Sequence, residues 1–104
     1  MENKAGQPFN AIWYEQIVSD DGQIVGYDLE GTEFWCTKTS VSRTSRQFRS
    51  GIEGKTVNMI LGSTNVSKLI GIEEGAKVLF QNKKYQVSYV EYDDLKDIYM
   101  VALT

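Results

Sequence analysis

The residues best suited to chemistry are the arginines, which form a basic segment in the middle of the chain. All three, Arg43, Arg46 and Arg49, lie within one short stretch. A guanidinium group presents a rigid fork of donors that fits phosphate and carboxylate groups. Phe48 and Lys55 lie in the same segment and complete a candidate site. We expect this site to bind nucleic acid or an acidic protein surface; the alternative is a solvated loop whose charge serves only solubility.

Charge is unevenly distributed along the chain. The net charge of the protein is −3. Residues 38–55 contain five basic residues and one acidic residue, a net charge of +4, which leaves −7 for the remainder. A negative protein with one basic segment is not typical of a general nucleic-acid binder, whose positive charge covers a whole face.

Catalytic and metal-binding chemistry has little support. The chain has no histidine and one cysteine, Cys36, so it contains neither a Ser-His-Asp nor a Cys-His arrangement and lacks the ligands of a structural zinc site. We expect Cys36 to be a small buried side chain. Acidic clusters at positions 20–21 and 93–97 offer oxygen ligands but lack calcium-loop spacing, so we interpret them as solvated turns. We expect no catalytic residue, no metal site and no cofactor.

Two pairs of adjacent aromatic residues are candidates for a subunit contact. They are Trp13 with Tyr14 and Phe34 with Trp35. Neighbouring side chains on a strand point to opposite faces, so both members of a pair cannot enter the same core. We expect one member of each pair to lie at a subunit interface, where Trp and Tyr are enriched; the alternative is an outer face that the protein's own loops or arm cover.

Short apolar and β-branched runs, separated by turn residues, predict the elements that must position these residues. The predicted strands are residues 9–18, 23–29, 33–42, 56–61, 76–80, 85–92 and 98–104. Residues 62–70 fit either a short strand or one helical turn, and residues 43–55 predict a long loop or a hairpin extension of the flanking strands. Residues 1–8 are polar and predict a flexible N-terminal arm.

These elements predict an all-β fold. Its 104 residues suit one domain, because two would each be too small to bury a useful core. We expect a small barrel or sandwich of six to seven antiparallel strands over residues 9–104, with residues 43–55 as its long loop. No apolar run approaches the roughly 20 residues that span a bilayer, and the start of the chain lacks the apolar core of a signal peptide. We therefore expect a cytoplasmic protein without membrane contact.

The order of these features resembles the small head–tail joining proteins of tailed bacteriophages, which are also called head-closure or stopper proteins. The resemblance rests on the Asp21-Gly22 turn, the Phe34-Trp35 strand and the long polar loop that follows it. It continues in Ile-Glu-Glu-Gly-Ala-Lys-Val at positions 72–78 and Gln-Asn-Lys-Lys-Tyr-Gln-Val at positions 81–87. It extends from about Ile12 to Leu103.

The resemblance implies a structural virion protein of the phage neck, assembled in the host bacterial cytoplasm. Such a protein forms a ring of six or twelve copies below the portal and adaptor and above a tail protein. The ring closes the head and retains the packaged double-stranded DNA. The implied fold is a β-barrel whose long loop faces the channel or a neighbour, which would make the basic segment a contact for DNA or a partner. Adaptors of the neck are largely helical, so the resemblance favours the stopper position; a tail-completion role stays open.

Two other functions fit the sequence. One is a small-barrel nucleic-acid-binding module, in which Phe48 stacks on bases while the arginines hold phosphates. The other is a phage- or host-encoded inhibitor that blocks one enzyme with its charged surface. Salt-dependent DNA binding by the monomer would favour the module, and tight one-to-one binding without rings would favour the inhibitor.

Overall fold

Short strands are the main regular structure of the chain, as expected from its β-branched and aromatic runs. The computed structural model describes residues 6–104, and the elements named here belong to that range. The strands are β1 (Phe9–Tyr14), β2 (Gln16–Val18), β3 (Ile24–Tyr27), β4 (Thr32–Thr39), β5 (Met59–Ser63), β6 (Lys77–Phe80), β7 (Lys83–Asp93) and β8 (Ile98–Leu103). The helical elements are the α-helix α1 (Arg46–Gly51) and two 3₁₀ turns, Val41–Arg43 and Val66–Lys68. Within this range, no helix is long and apolar enough to cross a membrane.

Six of the strands close into an antiparallel barrel. Their order is β1-β4-β5-β8-β7-β6, and β6 pairs with β1 to complete the circle. The predicted all-β fold is confirmed, and of the two predicted architectures the barrel is the one formed. Closure pairs both sides of each of these strands, which removes the open edges through which sheets aggregate.

Alternate side chains of the strands fill the barrel. Ala11 of β1 pairs with Phe34 of β4 on one side and with Phe80 of β6 on the other. All three are buried, so a small side chain lies between two large rings and the layer fits the narrow interior. Burial of each phenylalanine contributes about 1.5–3 kcal/mol.

A second, smaller core lies outside the barrel, beneath helix α1. Leu61 points into the barrel, so its neighbour Ile60 points outward. Ile60 and its register partner Ala102 form an apolar patch that the ring of Phe48 covers. Tyr89 of β7 packs edge-on against Phe48, with ring centroids 5.3 Å apart. The helix is thereby fixed to the outer face of the sheet.

The segment predicted as a long loop, residues 43–55, contains this helix, so the loop prediction is wrong for its central part. Ser45 caps the helix, because its side-chain oxygen accepts a hydrogen bond from the backbone N–H of Phe48 at 3.0 Å. Phe48 and Ile52 are four residues apart and lie on one helical face. Gly51 ends the helix against Tyr89, whose ring a Cβ at this position would overlap.

The predicted N-terminal arm falls only partly within the described residues, since residues 1–5 lie outside them. Gln7 is buried. Its amide nitrogen donates to the Gly62 carbonyl at 3.3 Å, and its amide oxygen accepts from the backbone N–H of Thr64 at 2.9 Å. The prediction of a flexible arm is therefore wrong at Gln7, because these hydrogen bonds attach it to β5 and the residue that follows.

The strand predicted over residues 9–18 divides into two at Glu15. β1 belongs to the barrel, whereas β2 leaves it and pairs with β3 in a separate two-stranded sheet. The backbone N–H of Asp28 donates to the Glu15 carbonyl at 3.0 Å and closes the base of this unit. We call residues 16–27 the hairpin.

Candidate interaction surfaces

The hairpin exposes large apolar side chains. Ile17, Val18, Ile24 and Val25 are 46%, 52%, 39% and 65% exposed. In a two-stranded sheet without a covering layer, neither face is buried by the hairpin itself. Branched aliphatic side chains clustered at this exposure are typical of a surface that another molecule covers.

The ends of the hairpin are acidic. Six acidic residues and no basic residue lie between positions 15 and 33, and all six are exposed: Glu15, Asp20, Asp21, Asp28, Glu30 and Glu33. The hydroxyl of Ser19 donates to the carboxylate of Asp21 within the turn. This hydrogen bond lowers the pKa of Asp21 below its ordinary value, so the turn keeps its negative charge. The hairpin therefore combines an apolar centre with an acidic border.

Side-chain contacts attach the hairpin to one end of the barrel. Gln16 donates from its amide nitrogen to the Glu74 carbonyl at 2.8 Å. The amide of Gln86 donates to the hydroxyl of Tyr27 at 3.3 Å. Lys77 places its ammonium group over the rings of Tyr14 and Tyr27, at 4.4 and 5.4 Å from their centroids. These contacts set the direction in which the hairpin leaves the barrel.

The three arginines lie on one segment across a 3₁₀ turn and helix α1, and all are exposed. Arg43 ends the 3₁₀ turn, and Arg46 and Arg49 lie at exposed positions of α1, whereas Phe48 of the same helix is buried. Arg49 donates from Nη1 to the Thr44 carbonyl at 2.6 Å. We call residues 41–49 the arginine surface; it also includes Val41, which is 47% exposed.

The guanidinium groups have no carboxylate partner in the part of the chain that the structure describes. The ion pair formed there joins Lys55 Nζ to Glu74 Oε1 at 2.7 Å. Lys55 was predicted to act with the arginines, but this contact directs it to the loop before β6 instead. Three arginines at the surface, without internal counter-charges among residues 6–104, remain available to a phosphate or an acidic partner.

Arg43 also borders a cleft of about 190 Å³ between the arginine surface and the β7–β8 turn. Charges of both signs line it, and its polar lining includes Arg43, Thr44, Ser45, Glu91, Asp93 and Lys96. The hydroxyl of Ser45 donates to Glu91 Oε1 at 3.0 Å, whereas the buried Oε2 has no hydrogen-bond partner among residues 6–104. Ser45 therefore holds Glu91 through one of its two carboxylate oxygens.

Phe48 does not share the exposure of the arginines around it. Its side chain is fully buried under α1, so it is not available to stack on a base, and its predicted place among the contact residues is wrong. Its contribution is to orient the helix. Because Phe48 faces the sheet, Arg46 and Arg49 face the solvent.

The adjacent aromatic pairs divide as the alternation of a strand requires. Trp13 and Phe34 are buried in the barrel, whereas Tyr14 and Trp35 are partly exposed. The indole N–H of Trp13 donates to the Lys68 carbonyl at 2.7 Å. Of the four predicted interface residues, Tyr14 and Trp35 therefore have exposed surface that a subunit could contact. Trp13 and Phe34 are core residues, so their predicted place at an interface is wrong.

The apolar side chains of the hairpin are the surface residues that the sequence prediction missed. The signal was present in the two runs Ile17-Val18 and Ile24-Val25. Two adjacent apolar residues on a strand cannot face the same core. In the hairpin this pattern leaves all four aliphatic side chains exposed.

The two surfaces lie at different positions along strand β7. Gln86 contacts the hairpin, and Glu91 contacts Ser45 beside the arginines. Five residues along a strand span about 17 Å. The hairpin and the arginine surface are therefore separate patches of opposite charge.

In comparisons with known proteins, no family model, no curated protein and no solved structure matches this chain.

Proposed function

We propose that this protein is a structural component of the neck of a tailed bacteriophage. It assembles into a ring between the portal or adaptor and the tail, closes the head and retains the packaged DNA. The neck assignment rests on the sequence resemblance to head-closure proteins. The observation that supports an assembly role is the hairpin, which extends four exposed aliphatic side chains from a barrel that already has a complete core.

The physical argument starts from the separate core of the barrel. A closed barrel buries its own apolar residues, so the hairpin adds no necessary layer to it. Exposed aliphatic side chains cost solubility unless a partner covers them. A ring supplies that partner at every position, and its symmetry repeats a modest contact around the whole assembly.

The experiment is a measurement of native mass by sedimentation velocity and native mass spectrometry, from micromolar to millimolar concentration. We expect closed species of six or twelve subunits, with annular particles in electron micrographs. A protein that stays monomeric over the whole range would contradict the proposed assembly role.

Nucleic-acid binding is the second candidate function. The observation that favours it is the set of exposed arginines without carboxylate partners among residues 6–104. The burial of Phe48 removes the one aromatic side chain of that segment from base stacking. This function requires that the monomer bind duplex DNA with an affinity that falls steeply with salt. Replacement of Arg43, Arg46 and Arg49 by alanine would then abolish DNA binding without changing the native mass.

A further inference from the structure

The hairpin and the arginine surface complement each other in charge. The hairpin carries an acidic border around apolar side chains. The arginine surface carries three guanidinium groups beside the exposed Val41. Within one molecule the two do not meet, because the ion pair formed among residues 6–104 involves neither arginines nor hairpin acids. Each surface therefore has its matching chemistry on another copy of the same chain.

We propose that the hairpin of one subunit binds the arginine surface of the next. The branched side chains Ile17, Val18, Ile24 and Val25 contact Val41 and the aliphatic stems of the arginines, which cover apolar surface while their charged ends stay at its border. The carboxylates around the hairpin pair with the guanidinium groups. This inference rests on the proposed ring and names the contact that builds it.

The symmetry of the contact depends on whether the two surfaces of one subunit bind the same neighbour. A two-fold dimer would make the hairpin–arginine contact twice between the same two subunits, whereas surfaces that bind two different neighbours run head to tail. Repeated head-to-tail contacts close into a ring when the rotation per subunit closes, and otherwise they form a filament. The patches lie about 17 Å apart, from five residues of β7, so each can bind a different neighbour, as the proposed ring requires.

Charge reversal tests this pairing without removing apolar surface. In the first variant, Arg43→Glu and Arg46→Glu make the arginine surface negative while the hairpin stays acidic. In the second, Asp20→Lys and Asp21→Lys change the net charge of the hairpin, residues 16–27, from −2 to +2 while the arginine surface stays basic. These four positions are exposed, so we expect both variants to fold. Each alone places like charges at every contact, and we expect the concentration needed for assembly to rise at least about a hundredfold.

A mixture of the two variants restores assembly if the pairing is correct. The reversed arginine surface of the first then meets the reversed hairpin of the second, and the unchanged surfaces meet each other. We expect rings with alternating subunits, which native mass spectrometry identifies by their equal content of both variants. A chain that carries all four substitutions should assemble by itself for the same reason.

Two control variants separate the specific contact from an effect of net charge. Lys83→Glu with Lys84→Glu changes the net charge as the first variant does, at exposed positions at the start of β7 that belong to neither surface. Glu73→Lys with Asp94→Lys, also exposed, does so for the second. Both controls should assemble as the native protein does. If the native protein assembles and the reversed variants assemble equally well, the proposed contact is wrong and the ring stands. A native protein that remains monomeric overturns both.

Discussion

Cys36 lies inside the barrel, where burial controls its chemistry. Its side chain is fully buried among the apolar residues of the core. Removal of the thiolate from water raises the pKa of Cys36 to about 12. The folded protein therefore keeps this thiol protonated and unreactive at neutral pH, since the thiolate is the nucleophilic form.

We expect Cys36 to react with a disulfide reagent at pH 8 only when the barrel opens. Its rate should be at least about a thousandfold below the rate in strong denaturant, because the open fraction of a stable domain is that small. The control is Ser67→Cys, which adds an exposed thiol and should give one fast equivalent per chain. Rapid reaction of the native protein would show that the thiol is accessible.

The same thiol gives a pH dependence of stability. An unfolded cysteine loses its proton near pH 8.5, whereas the folded one retains it up to about pH 12. The stabilising contribution is complete below about pH 8.5 and is lost as the pH rises toward 12, because only the unfolded state releases the proton there. Comparison of the denaturation midpoints of the native protein and Cys36→Ala between pH 7 and 10 isolates this contribution.

Phe48 shows why part of the candidate site was predicted incorrectly. The composition-based prediction that the arginines contact DNA or a partner stays a prediction, although their charge does keep them at the surface. The prediction for Phe48 failed, because the segment has only two large apolar residues, Phe48 and Ile52, and six helical residues are too few for a clear periodicity. Phe48 is buried because it packs on the outer patch of Ile60 and Ala102. This is a tertiary contact between positions that are distant in the sequence.

At the level of elements, the hairpin and the barrel are separable units. The hairpin begins after Glu15 and ends before Asp28, whose backbone groups are hydrogen-bonded to each other at 3.0 Å. A short turn can therefore join these two residues without moving β1. None of the hairpin side chains belongs to the main core of buried residues.

We expect the barrel to fold without the hairpin. Replacement of residues 16–27 by Asn-Gly joins Glu15 to Asp28 through a turn that suits two antiparallel chains. The denaturation midpoint should stay within the range of surface changes, because no buried core side chain is lost. Assembly should disappear, and native mass measured beside circular dichroism checks both statements. Loss of the fold would show that the hairpin is part of the cooperative unit.

The strands were predictable to the extent that their pattern is local. The antiparallel pair of β6 and β7 is predictable from its two apolar runs and from the turn between them. In that turn, Gln81 and Asn82 adopt the positive φ values, 50° and 65°, of a two-residue turn. The break at Glu15 was not predicted, because apolar residues resume at Ile17 and Val18, directly after the two polar residues Glu15 and Gln16. Strand β2 leaves the barrel because the partners of β1, strands β4 and β6, do not continue beside it. This follows from how the sheet closes.

At the level of the whole molecule, opposite charges lie on separate patches. The effect of salt on assembly therefore shows whether electrostatic or apolar contacts hold the copies together. We expect rings to dissociate as sodium chloride rises from about 0.1 to 1 M, because the screening length falls from about 10 to 3 Å. The control is the denaturation midpoint of the variant with Arg43→Glu and Arg46→Glu. This variant should stay monomeric, so its midpoint should change little with salt. If the rings become more stable as the salt concentration rises, apolar burial alone holds the contact together.

The closed sheet also has a mechanical consequence. Each barrel strand is held by hydrogen bonds on both sides, so a pulling force must break many of them together. Among residues 6–104, the hairpin strands form ladder hydrogen bonds with each other only, through three register pairs and a bulge. A chain of such subunits under load would behave as stiff bodies joined by compliant links, and strain would concentrate in the hairpins while the barrels keep their shape.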